Sequence, residues 1–283
     1  MRLSIIVILI SLLSLLVTQL TWAVESDKLW SISEKISTTS NYVDRGLSQT
    51  WGGPALQAEF EAEHDSGFYV GISGSNVSRN LYPGGELELT SWLGFEYEMK
   101  KNTTLAIEGL YYAYPRANLN KCDSLGSCDG QSFNTFEGRI IATKDYFSAS
   151  YAYAFTDYFG ASPASGYTTG THGTWYVDLS ANPKLPIDVG WQLKLHTGYT
   201  HYSAQYESQN PLIIYNPNYW DWKVGVMKSL KDSQGMWQFE LDYTQASNQT
   251  FYNNTNSFVN SSTFNLGHPT VALSISRFFN KFD

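Results

Sequence analysis

Carboxylates share one parity in two segments of the chain, residues 55–64 and 86–99. Alternate side chains of an extended strand share one face, so each segment presents a row of carboxylates opposite an apolar face. Unpaired carboxylates are not buried in a dry interior, so the rows must face water or be partly protonated, and a wet acidic surface attracts cations. The residues in these rows are Glu59, Glu61, Glu63, Glu86, Glu88, Glu96 and Glu98.

Two cysteines, Cys122 and Cys128, lie in the polar segment Lys-Cys-Asp-Ser-Leu-Gly-Ser-Cys-Asp. In an exported chain with only these two, we expect a disulfide that closes a small loop rather than a metal site. The five histidines show no metal-ligand spacing, and no His beside a Ser is expected on the outward face where an outer-membrane hydrolase would need them. We therefore predict no metal, no cofactor and no catalytic residue, with an enzyme kept as a third hypothesis.

The first residues indicate export. Met1-Arg2 is followed by an apolar run over residues 3–17, and Thr21-Trp22-Ala23 has small residues where a signal peptidase requires them. The prediction is a signal peptide over residues 1–23, cleaved after Ala23. An uncleaved anchor helix is the alternative, although the run is shorter than the roughly 20 residues of a membrane span.

The composition narrows the class of protein. The 283 residues are 42% hydrophobic, 16% charged and 16% aromatic. These proportions exclude a disordered chain, and also a helical membrane protein, whose spans would raise the apolar share. A net charge of −8 argues against a nucleic-acid partner, which requires a basic face. Few charges, many aromatics and 22 glycines favour an all-β fold.

Beyond Ala23 the dominant hydrophobic period is two, which indicates β-strands. The pattern predicts about twelve antiparallel strands whose connections alternate between long and short. Long extracellular loops at one end and short periplasmic turns at the other are typical of outer-membrane β-barrels. The predicted strands are residues 30–45, 55–64, 67–76, 86–99, 104–114, 132–142, 146–156, 174–181, 188–200, 219–229, 236–247 and 269–279.

Three further observations indicate that the apolar faces of the strands contact lipid. Strands of about 10 residues match the 9 to 11 that cross a bilayer at a tilt. Aromatics such as Trp30 and Trp220 gather at the strand ends, around an aliphatic band. The last strand ends at Phe279. It resembles the C-terminal strands that the barrel insertion machinery recognises in its substrates. We expect residues 24–283 to form a closed transmembrane antiparallel β-barrel in bacterial outer-membrane lipid, with a soluble periplasmic β protein as the alternative.

With apolar faces outward, the opposite faces line a lumen in which acids outnumber bases by fourteen to five. Twelve strands about 4.8 Å apart and tilted about 40° give a backbone radius near 12 Å, so the lumen is narrow. Trp92 and Tyr112 are candidates for a constriction, and Arg45 is expected to face Glu59 across the first hairpin. The remaining predicted lumen acids are Glu108, Glu137, Asp178, Asp188, Asp221, Glu240 and Asp242, and the predicted bases are Lys35, Arg45, Arg139, Lys194 and Lys223.

Several segments carry a resemblance to a known family. Residues 40–50 read Ser-Asn-Tyr-Val-Asp-Arg-Gly-Leu-Ser-Gln-Thr, and Tyr-Ala-Tyr-Pro and Asp-Tyr-Phe-Gly follow at 112–115 and 157–160. Together they resemble the TorF-type porin family of proteobacteria, whose function is unknown. The resemblance implies an outer-membrane location and a porin-like role, with Arg45, Gly46, Ser48 and Gln49 shaping the first extracellular turn. Asp44 departs from the aromatic or apolar residue usual there.

The sequence thus predicts a narrow, cation-preferring channel for passive diffusion of ions or a small solute. The alternative is a filled, non-conducting barrel that acts through its extracellular loops as a structural or binding surface. Inward charges that only pair with one another to satisfy the wall are the alternative to a selective pore. The transported solute, gating and oligomeric state are not determined by the sequence.

Overall fold

The computed structural model describes residues 29–121, 131–187, 189–209 and 212–280. Twelve antiparallel strands form a closed barrel in which each strand pairs with its neighbours in sequence, and the last pairs with the first. This confirms the predicted fold class. The strands are β1 (Trp30–Thr39), β2 (Ala55–His64), β3 (Phe68–Asn76), β4 (Leu87–Lys100), β5 (Thr103–Ala113), β6 (Thr135–Lys144), β7 (Phe147–Ala154), β8 (Trp175–Ala181), β9 (Trp191–His201), β10 (Tyr219–Asp232), β11 (Gly235–Ala246) and β12 (Thr270–Asn280).

The apolar side chains of the strands face outward. Leu93, Ile107 and Val271 are 60%, 61% and 64% exposed, whereas their sequence neighbours on the inner face are buried or half-buried. A water-soluble barrel would bury these side chains, and a membrane barrel turns them to lipid. Closure leaves no strand edge unpaired, as a lipid environment requires.

Long connections and short turns separate to opposite ends of the barrel. Six longer segments join strands at the end we call extracellular, following the usual orientation of outer-membrane barrels. No helix in the described part of the chain is long and apolar enough to span a membrane. The longer segments are residues 40–54, 77–86, 114–134, 155–174, 202–218 and 247–269.

The first strand is shorter than predicted. β1 ends at Thr39, and residues 40–54 turn into the barrel as a short hairpin in which Val43–Asp44 pairs with Leu47–Ser48. We call residues 40–54 the inner hairpin. Arg45 and Gly46 both have positive φ, 45° and 76°, as a tight two-residue hairpin turn requires. Arg45 has the same parity as Lys35, so the period of two extended the first strand through this turn.

Two clusters of buried aromatic and apolar residues lie at the loop end of the barrel. One cluster contains Tyr82, Tyr114 and Phe133, and a second contains Tyr219 and Tyr252 with other buried side chains. Tyr42 of the inner hairpin packs on the first cluster, and Leu47 and Trp51 pack on the second. The Ser48 amide also donates to the Leu266 carbonyl at 2.9 Å. The loops therefore fix the inner hairpin from two sides.

Inward aromatic rings lie along the wall over glycines. A Cβ atom on Gly71 would come within 2.3 Å of the Trp92 ring, and one on Gly198 within 2.1 Å of Tyr176. Trp92 also donates from Nε1 to Glu61 at 2.8 Å, two strands away. The structure thus corrects the placement of Trp92 as a constriction, since its ring lies against β3 rather than across the lumen.

Filling the space under Trp92 is expected to destabilise the barrel. Gly71→Ala should lower the free energy of unfolding by about 1–3 kcal/mol, because the Cβ overlaps the indole ring. The measurement is urea unfolding in lipid vesicles followed by tryptophan fluorescence. Gly109→Ala is the matched control, since its Cβ would make an ordinary contact 3.4 Å from Phe136. Equal losses in the two variants would contradict this packing.

Candidate functional site

The inner hairpin crosses the lumen and ends on an ion pair with the opposite wall. Arg45, at its tip, donates from Nη1 and Nη2 to the two carboxylate oxygens of Glu137 on β6, at 2.9 and 2.6 Å. The hairpin begins and ends at β1 and β2, which are several strands from β6 around the barrel. The two side chains are 8% and 1% exposed. This bidentate pair therefore closes part of the cross-section.

Other side chains hold the tip in place. Arg45 also donates to the Tyr158 hydroxyl at 2.7 Å, and its guanidinium lies 4.5 Å from the centroid of the Tyr176 ring. Beside it, a Cβ atom on Gly46 would come within 2.5 Å of Asp221 Cβ. The tip of the hairpin therefore packs against β10 only if residue 46 is glycine.

Both flanks of the hairpin are tied to β4 and the loop that precedes it. The Tyr42 hydroxyl donates to Glu88 on β4 at 2.9 Å, and Tyr82 donates to Gln49 at 2.6 Å. In the turn, outside the spanning strands, burial raises the pKa of Asp44, and the adjacent guanidinium opposes that shift. Arg45 thus has a buried carboxylate beside it in sequence as well as the one it binds.

Arg45 does not have the predicted partner. An inward contact between Arg45 and a carboxylate is present, but the carboxylate belongs to Glu137, and the expected pairing with Glu59 is wrong. Glu59 lies opposite Lys35 in the β1–β2 register, with their charged atoms 3.5 Å apart. The turn at residues 45 and 46 takes Arg45 out of β1 and across the lumen, which explains the exchange of partners.

Below the hairpin, ionic contacts follow the wall. They join strands that are neighbours or next neighbours, and some of their charged side chains line a polar cavity of about 300 Å³. His196 on β9 lies between Asp178 on β8 and Asp221 on β10, at 2.5 and 2.6 Å. The other pairs are Arg139 with Glu108, Lys194 with Glu240 at 3.7 Å, and Lys223 with Asp242 at 3.4 Å.

The chain matches a known protein family over most of its length. A family model described as a bacterial protein of unknown function (Gcw_chp) matches residues 23–279. The chain belongs to this family. No curated protein matches it.

Solved structures similar to this Gcw_chp protein include two porins and one protein from Salmonella typhimurium. The NanC porin is 8% identical with a TM-score of 0.48, over 88% of this chain and 100% of that one. The KdgM porin in complex with disordered oligogalacturonate is 8% identical with a TM-score of 0.44, over 89% and 99%. LpxR from Salmonella typhimurium is 9% identical with a TM-score of 0.40, over 88% and 100%.

Acidic residues of the Gcw_chp barrel also lie toward its short-turn end. Glu61 and Glu63 on β2 and Glu96 and Glu98 on β4 occupy inward positions on one side of the lumen. Glu61 accepts a hydrogen bond from Trp92, and Glu96 accepts one from Thr104 at 3.3 Å. This side of the periplasmic mouth is therefore negatively charged.

Some predicted site residues have another position. Glu86 precedes β4 and pairs with Arg79 at the extracellular rim at 2.8 Å, so it does not belong to the lumen wall. Asp188, Cys122 and Cys128 lie outside the described residues, as does the predicted signal peptide. Among the described residues, no group of three or more His, Cys, Asp or Glu side chains could hold a metal ion.

Two features of the site were missed from the sequence. His196 was assigned no role, although its inward parity with Lys194 placed it among the lumen charges. The second is a cavity of about 540 Å³ on the extracellular side of the hairpin, which we call the vestibule. Vestibule and lower cavity share only Asp44 and Arg45 among the residues described as lining them, so the hairpin tip divides the two.

Removing the guanidinium is expected to release the inner hairpin. Arg45→Ala leaves Glu137 buried without its partner, which costs about 3–5 kcal/mol. Amide exchange over residues 43–48 should then accelerate by about 100-fold or more, measured by hydrogen–deuterium exchange and mass spectrometry.

Arg79→Ala serves as the control, because Arg79 and Glu86 are 46% and 61% exposed and such pairs contribute about 1 kcal/mol or less. Exchange over residues 43–48 should stay at the native rate in this variant. Native-rate exchange in Arg45→Ala as well would show that the ion pair does not hold the hairpin.

Proposed function

We propose that this Gcw_chp protein is a narrow channel of the bacterial outer membrane for passive diffusion of ions or a small solute. The observation that carries the proposal is the direction of the polar contacts. Below the inner hairpin they run along the wall between near-neighbour strands, and in the described part of the chain the hairpin is the segment that crosses the lumen. A barrel with a purely structural lumen would join its inward side chains across the axis at every height.

The proposal includes a preference for cations. Lumen bases such as Arg45, Arg139 and Lys223 are engaged by carboxylates, while the acids at the periplasmic mouth add further negative charge. Rings of carboxylates in a water-filled passage lower the energy of a cation relative to an anion. The TorF-type resemblance of the hairpin sequence agrees with a porin-like role.

We further propose that the strands insert by the usual route of such barrels. β12 alternates outward apolar residues, including Val271 and Leu273, and carries Phe279 near its end. Such a strand suits recognition by the insertion machinery, and the exposed apolar band suits outer-membrane lipid. A filled barrel that acts through its loops is the competing function, favoured by the buried contacts of the hairpin.

Conductance in a planar lipid bilayer tests the channel. The refolded native protein should give discrete steps of current, with a reversal potential in a KCl gradient that shows preference for K⁺. Heat-modifiable mobility on a gel establishes that the protein tested is folded. Folded protein that gives no steps, or that prefers Cl⁻, would contradict the proposed function.

Neutralising acids at the periplasmic mouth should weaken the cation preference. Glu61→Gln/Glu63→Gln is expected to lower the K⁺/Cl⁻ permeability ratio by about twofold or more, because both carboxylates face the lumen. Glu34→Gln is the control, since Glu34 has the outward parity of Ile36 on β1. An unchanged ratio in the double variant would show that these acids do not set selectivity.

A further inference from the structure

The vestibule is lined mainly by aromatic side chains from the extracellular loops. Of the residues that line its volume of about 540 Å³, nine are Tyr and four are Phe. Several of these rings, including Tyr167, Tyr202, Tyr206 and Phe251, are only half-buried and leave part of their surface to the cavity. The volume lies in the range of small-molecule binding sites.

Contacts between rings make this lining a single connected unit. Tyr82 stacks on Tyr114 with centroids 4.2 Å apart, and Tyr167 stacks on Tyr202 at 5.8 Å. Tyr206 contacts Phe251 edge to face at 5.3 Å, and further contacts link all thirteen rings. A cup preorganised in this way loses little conformational entropy when it binds a ligand.

The cup carries little charge, although polar groups form part of its lining. Asp44 and Arg45 form its floor, and Arg45 is already bound to Glu137, while the other described lining residues are uncharged. Burial raises the pKa of the Tyr202 phenol to about 12, so this hydroxyl stays neutral. Asn254, Asn256 and Ser208 add amide and hydroxyl groups to the lining.

From this arrangement we infer that the vestibule is a binding site for a neutral saccharide of one or two rings. The apolar C–H faces of a sugar ring pack against tyrosine faces, and its hydroxyls exchange hydrogen bonds with phenol, amide and hydroxyl groups. An anionic ligand would lose its hydration without gaining a cation partner, since Arg45 is occupied. The site does not depend on conduction through the lumen below it.

Saturation-transfer NMR on the full-length protein in detergent tests the site. The probes are glucose, galactose, maltose, lactose, sucrose and trehalose, with lactobionate as an anionic counterpart of lactose and indole as an apolar aromatic. At least one neutral sugar should bind saturably and more tightly than lactobionate and indole. Absence of a signal from all six sugars, or binding of indole alone, would overturn the inference.

Variants locate the binding. Tyr206→Ala should weaken binding of that sugar by about tenfold, as expected for loss of one aromatic contact, and Tyr206→Phe should retain it. Tyr146→Ala is the matched control, because Tyr146 is 49% exposed at the opposite end of the barrel.

A second variant tests the site if Tyr206→Ala does not fold. Asn254→Ala/Asn256→Ala changes exposed side chains of the same lining and should also weaken binding of the sugar. Sugar affinity that stays native in the folded vestibule variants would place the binding elsewhere and overturn the inference.

Discussion

The buried ion pair between Arg45 and Glu137 is the interaction on which the arrangement of the lumen depends. Removing two charges from water is costly, and the cost is offset here by two-point hydrogen bonding, by the Tyr158 hydroxyl and by the ring of Tyr176. Because the pair joins a loop to the far wall, it fixes where the inner hairpin lies. The hairpin position in turn divides the lumen into a charged lower cavity and a neutral vestibule.

The barrel has two different interiors as a consequence. Below the hairpin, charged side chains pair along the wall. The ring of Trp92 lies against a glycine of the wall and does not extend across the lumen, so polar groups are left to face its middle. Above the hairpin, two clusters of buried aromatic and apolar side chains fill the loop end of the barrel. A solute entering from outside would first meet neutral aromatic surfaces and then an acidic passage, with Arg45 between them.

Much of the fold follows from hydrophobic period alone. β2 has the predicted bounds, and the twelve strands were all expected because lipid on one side and water on the other require strict alternation in each. The strand pattern did not predict the inner hairpin, because Arg45 has the parity of Lys35 and was assigned to the first strand, although the family resemblance implied a turn at Arg45 and Gly46. The partner of Arg45 and the vestibule depend on contacts between loops far apart in sequence, which a single strand pattern does not contain.

The most direct test of the account is the single-channel conductance of a barrel without the inner hairpin. Thr39 and Ala55 are paired across β1 and β2, so a two-residue Asn-Gly turn can replace residues 40–54 without disturbing the wall. If the hairpin is the main barrier, the shortened protein should conduct several-fold more current than the native protein in the same bilayer. An unchanged conductance, or a folded barrel that still conducts no current, would contradict the central claim.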